Sequence, residues 1–134
     1  MLPAFLRLFN KKDHRTEVLS EIKLNLEQAH VFDQRQFIST PFDLKAWELH
    51  RHSFQINADL PLFEYSAALD KVNLALTNLT TYQSFYSGSL ENKSRENAEV
   101  LHAKKEIVDD LARGLKPLII RADDHLHRAI GARQ

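Results

Sequence analysis

The chain has 134 residues, 43% of them apolar, with 18 basic residues against 18 acidic ones and no cysteine. That length suits one globular domain able to bury a core without covalent staples. Zero formal charge lacks the clustered positive field that nucleic-acid binding leaves, so nucleic acid is not an expected partner, and the missing cysteines exclude disulfides, thiolate metal sites and cysteine nucleophiles.

The first residues carry the clearest amphipathic signal. Leu2, Phe5, Leu6 and Phe9 share one face, while Arg7, Lys11, Lys12 and Arg15 stand against Asp13 alone. A basic amphipathic helix of this kind suits an anionic membrane interface. The same residues suit packing on the bundle or on a partner chain, or the end of a truncated membrane anchor. No run approaches the roughly eighteen apolar residues that span a bilayer.

Helix formers dominate the rest, and no sustained period-two alternation argues for strands. A second helix is expected over 16–34, with Leu19, Ile22, Leu26 and Ala29 on its apolar face. Thr40-Pro41-Phe42-Asp43 reads as a helix start: Thr40 caps, Pro41 fits the first turn and Asp43 complements the dipole. The short helix that follows carries Trp47 and ends near His52; the cations of His50-Arg51-His52 suit its C-terminus. Asp59-Leu60-Pro61 opens a third helix whose heptad is Leu62, Tyr65, Leu69, Val72, Leu76, Leu79, Gln83 and Tyr86, closed by Ser87-Gly88-Ser89.

The final stretch keeps one register through Gly114 and Pro117: Leu101, Lys104, Val108, Leu111, Leu115, Leu118, Ala122, His125 and Ala129. Its unbroken phase predicts a single helix over 94–130, bent near Pro117 because proline removes a hydrogen bond and clashes with the preceding turn. The expected fold is all-α: an antiparallel bundle of three long helices plus a short helix over 16–134, preceded by the amphipathic basic segment 1–15.

Glu21-Ile22-Lys23-Leu24-Asn25-Leu26-Glu27, then Ala46-Trp47, then Val72-Asn73-Leu74 together resemble an uncharacterised helical module of small bacterial and archaeal proteins that often follows a membrane-spanning segment. The likeness covers roughly residues 17–80 and implies nearness to a membrane, with no activity attached. Its usual asparagine in the third helix fits Asn73, whereas Ala68 and Leu69 stand where its tyrosine is expected.

Candidate chemistry is sparse. Glu27–His30 and Glu99–His102 have the E-x-x-H spacing of di-iron bundles, which also need an inward carboxylate from each of two other helices. At about 100° per residue, Glu99 points away from the apolar stripe and Glu27 away from its helix's core face. Glu64 and Asp70 lie off the stripe of their own helix.

In Asp123-Asp124-His125-Leu126-His127 the two histidines diverge by about 200° and cannot share a metal within one chain. Asp123 and His127 form a two-ligand edge, short of the three or four protein ligands that stable sites use. His125 occupies a heptad core position and reads as a hydrogen-bonded seam residue. No serine sits in a nucleophile elbow, and the glycines do not cluster as a phosphate loop requires.

The reading is a non-enzymatic interaction protein that needs no cofactor. It acts through Phe5, Leu6, Phe9, Lys11 and Lys12 on a protein partner or a second copy, in the cytoplasm or at the inner face of a membrane. The alternative is a metal- or ligand-binding bundle using Asp123 and His127.

Overall fold

A computed structural model describes residues 4–35, 40–87 and 95–131, with side chains over 14–34, 40–85 and 97–131. The described residues are helical, without strands: α1 (Ala4–Arg35), α2 (Lys45–His50), a 3-10 turn (Arg51–Ser53), α3 (Leu60–Ser87), α4 (Arg95–Arg113) and α5 (Leu115–Gly131). The four long helices pack against one another: α3 lies on α4 and α5, and α1 lies on α5 while carrying α2 on its flank.

Helix α1 runs without a break through residues 15 and 16. The amphipathic segment and the second expected helix are therefore one element. Phe5, Leu6, Phe9, Lys11 and Lys12 belong to its backbone, and their side chains lie outside the described residues.

The stripe predicted on α3 forms the centre of the core. Leu62, Tyr65, Leu69, Val72, Leu76 and Leu79 are buried, while Gln83 is exposed. Trp47 joins α2 to this core, stacked on Phe54 at 5.5 Å and edge-on to Phe63 at 4.9 Å. Burying such rings adds roughly 1 kcal/mol per pair beyond the area removed from water.

The last helix is two helices. Helix α4 ends at Arg113, Gly114 makes a turn, and α5 starts at Leu115. In a continuous helix the Pro117 ring would collide with the carbonyl of Arg113, four residues earlier. The break falls at that carbonyl, and Pro117 sits in the first turn of α5, where a missing N–H costs nothing.

The phase still runs through the turn: Val108, Ala112, Leu115, Ile119, Ala122 and Leu126 are buried at steps of three and four. This differs from the expected stripe at several positions. Leu111 is exposed, Leu118 is half-buried, and Leu126 replaces His125 at the core.

Candidate functional site

The described interior holds three buried polar residues, Glu21, Asn25 and Ser66. The first two organise one structure with Tyr65 and Asn73: a clamp on the connection from α1 to α2. The Asn25 amide donates to the Asp43 carbonyl at 2.8 Å and to the Tyr65 hydroxyl at 2.7 Å, while its Oδ1 accepts from the Asp43 N–H at 3.2 Å. Asn73 treats Phe42 the same way, accepting from its N–H and donating to its carbonyl, each at 2.8 Å. Each asparagine thus satisfies both main-chain groups of one residue, as a neighbouring strand would in a β ladder. Phe42 and Leu44 are buried, and Asp43 between them is exposed.

Glu21 finishes the clamp. Its Oε1 accepts from the Ala46 N–H at 2.8 Å and its Oε2 from the Trp47 N–H at 3.0 Å. The Asp43 carboxylate accepts from the Lys45 N–H at 3.0 Å. The first three amides of α2, which no intrahelical partner can reach, are all satisfied by carboxylates. The expected cap at Thr40 is therefore replaced: the N-cap residue is Leu44, which has no capping side chain, and Glu21 does the work from α1.

Burial raises the Glu21 carboxyl above its ordinary 4.5; the amides of Ala46 and Trp47 draw it back part of the way, and neighbouring Asp43 pushes it up. Burial likewise pushes the Tyr65 phenol upward. With each Glu21 oxygen turned onto an amide, the arrangement positions α2.

Against the clamp, α1 and α2 bound an open cleft of about 500 Å³ lined by Glu17, Ser20, Leu24 and Leu49 together with the clamp residues Glu21 and Asp43. Leu24 and Leu49 are each 64% exposed. At one end His50 Nε2 lies 2.6 Å from Glu17 Oε2, with the His14 ring 6.0 Å from that of His50.

The C-terminal cluster is dispersed. His125 Nε2 lies 2.8 Å from Asp59 Oδ1, and Asp59 also accepts from the Gln55 N–H at 3.0 Å at the entry to α3. His127 Nδ1 faces its own helix, 3.0 Å from the Asp123 carbonyl and 3.3 Å from Asp123 Oδ2. No third ligand joins Asp123 and His127, because no group of three metal-ligating side chains exists among the described residues.

Glu27, His30, Glu99 and His102 are all exposed. His30 pairs with Lys116 at 3.0 Å, and His102 with Glu106 at 3.1 Å.

Glu21, Asn25 and Asn73 lie within the stretches that carry the resemblance, and Tyr65, which bonds Asn25, lies about one turn before positions 68 and 69. Nothing in periodicity marked Glu21 and Asn25 as inward. Compared with protein-family models, curated proteins and solved structures, the chain finds no match. No described helix is long and apolar enough to cross a membrane.

Proposed function

We propose that this chain is a non-enzymatic helical-bundle interaction protein whose working element is the basic amphipathic start of α1, with Phe5, Leu6, Phe9, Lys11 and Lys12 making the contacts. One observation supports this above the rest. The buried Glu21 carboxylate and Asn25 amide, with the half-buried Asn73 amide, are committed to main-chain groups of the α1–α2 connection and the start of α2, while Leu24 and Leu49 stand exposed beside the cleft. The polar interior is spent on rigidity, and the accessible apolar surface faces outward, as in proteins that act by contact. On this reading α1, α3 and the α4–α5 pair are the three long members of an antiparallel bundle, and the protein works in the cytoplasm, peripheral to the inner membrane. The resemblance to a membrane-adjacent helical module supports the same placement.

The test is flotation with anionic phosphatidylserine vesicles, run beside light scattering, on the full chain and on a chain lacking residues 1–12. Loss of vesicle binding or of association on removing the segment is expected. Identical behaviour of the two chains in both assays would sink the reading.

A second reading rests on Asp123 Oδ1, which is buried and has no hydrogen-bond partner. It is a metal- or ligand-binding bundle in which Asp123 and His127 form part of the site. Calorimetric titration with zinc tests it, and absence of heat at micromolar protein would remove it.

A further inference from the structure

We infer that α4 is a hinged arm, which swings off α3 about Gly114 while α5 stays docked. This conformational device is independent of the role given to the start of α1.

Helices α4 and α5 share one apolar phase and are packed very differently. Among the described residues, α5 buries Leu115, Ile119, Ala122 and Leu126, whereas the longer α4 buries Val108 and Ala112 alone. An apolar stripe on the flank of α4 is left open: Val100, Ile107 and Leu111 are 41%, 53% and 36% exposed.

The polar ties to the other helices divide in the same way. Lys116, in the first turn of α5, lies 3.0 Å from His30 and 3.4 Å from Asp33 on α1. Arg121 reaches Glu64 on α3 at 3.6 Å, and His125 reaches Asp59 at 2.8 Å. The polar contacts of α4 with α3 gather at Tyr82: Lys104 stands over its ring, 5.4 Å from the centroid, and its hydroxyl donates to Asn97 Oδ1 at 3.3 Å. The pairs His102–Glu106 and Asp110–Arg113 stay within α4 itself.

The reach of α1 explains the difference. Lys116 meets the last turns of α1, so α5 runs back along that helix and α4 extends past Arg35. Among the described residues α4 therefore lies on α3, while α1 lies along α5. Most helical stability comes from packing rather than from propensity. A helix covered along one side opens more readily than one covered along two.

Gly114 supplies the pivot. A β-carbon placed there would meet nothing within 4 Å, and the backbone lies outside the left-handed region. Neither space nor conformation in the closed form calls for glycine. What glycine adds is backbone freedom, the property a pivot uses. The break has already parted the two helices where Pro117 would meet the Arg113 carbonyl, so no continuous ladder of hydrogen bonds ties α4 to α5. Opening uncovers Val108, Ala112 and the part of α3 around Tyr82.

The test is native-state hydrogen exchange on the full chain, read by nuclear magnetic resonance in low urea. Amides over 99–113 should share one protection, at least about tenfold below that over 119–130, with a weaker urea dependence because less surface opens. Ile119→Val, in the buried face of α5, should speed exchange in α5 by about two- to tenfold. It should leave α4 unmoved, since the open form keeps α5 docked. Gly114→Ala should slow exchange in α4 by about two- to fivefold by restricting the pivot. Equal protection in α4 and α5, with both responding to Ile119→Val, would make the bundle one cooperative unit and overturn the arm. Protection that falls steadily from residue 113 to residue 99 would mean fraying from the far end, and would overturn it too. Exchange in α4 that ignores Gly114→Ala would remove the hinge.

Discussion

The two polar clusters of this molecule are built in opposite ways. Asp123, His125 and His127 are neighbours in sequence and serve separate ends: one histidine reaches Asp59 at the start of α3, and the other folds back on its own helix. Glu21, Asn25, Tyr65 and Asn73 belong to two helices, yet they meet around the few residues that lead into α2. Adjacency along a helix spreads side chains around it, whereas spacing by whole turns gathers them. Glu21 and Asn25 are four apart; Tyr65 and Asn73 are eight apart. The cluster that looks like chemistry is therefore scattered, and the cluster that looks like nothing is assembled.

This contrast ranks the expected costs of breaking each part. Glu21→Ala should be the most damaging single change. It strips two charge-assisted bonds from the amides of Ala46 and Trp47 and leaves both near a buried surface, a loss of about 2–4 kcal/mol in urea unfolding. Trp47 would lose its anchor with it. A loss below about 1 kcal/mol would mean that α2 is held by Trp47 packing alone.

Glu21 also sets a pH dependence whose sign can be worked out. Its carboxyl titrates above 4.5 in the folded chain and near that value unfolded, so the folded state holds the extra proton between the two. Stability from this group is greatest below about 4.5 and declines as pH rises through the folded value. Glu21→Gln removes that slope. The difference in unfolding free energy between the native chain and Glu21→Gln should therefore shrink as pH is raised from 4.5, and a difference that grows would contradict the burial argument.

Asn25→Ala and Asn73→Ala come next, at about 2 kcal/mol each, because each deletes a two-pronged partner and leaves main-chain groups of Phe42 or Asp43 unpaired. The two losses should not add: both asparagines hold the same connection, and once one side is free the other grips a mobile segment. A double-mutant cycle should show a coupling of roughly 0.5 kcal/mol or more. Additive losses would mean that α1 and α3 act on the connection independently.

The helical class, the core stripe of α3 and the short helix around Trp47 were legible because each rests on apolar spacing, which burial acts upon directly. The break at Gly114 was not, since a one-residue turn conserves the phase of the stripe while releasing the Arg113 carbonyl from Pro117. Nor was the cap of α2. A local cap announces itself as serine, threonine, aspartate or asparagine beside the helix, but the residue at that place is Leu44 and the carboxylate comes from α1. Inward polar residues on an otherwise apolar face look like interruptions of a pattern until their partners are in place. The shift from His125 to Leu126 at the core is a matter of one position in a stripe whose two edges are both polar.

On the C-terminal side the effects should be smaller. His125→Leu should cost about 1 kcal/mol, because the gain of an apolar side chain at the edge of the core is outweighed by loss of the contact to Asp59, itself mostly buried at the entry to α3. A stabilising result would return His125 to the role of a seam residue whose polar atoms are dispensable.

Asp123→Ala carries the smallest expected effect and the sharpest test of the comparison. One carboxylate oxygen of Asp123 is buried without a hydrogen-bond partner, and the other meets His127 at 3.3 Å. A surface pair four residues apart contributes only a few tenths of a kcal/mol. An unsatisfied buried oxygen costs more than that. Removing the side chain should therefore leave stability unchanged or raise it slightly in thermal unfolding, with His127→Ala close to neutral. A loss above about 1 kcal/mol from Asp123→Ala, abolished by a chelator, would mean that the orphan oxygen holds a cation. The residues crowded together at the end of the sequence would then have a chemical purpose that their dispersal around α5 argues against.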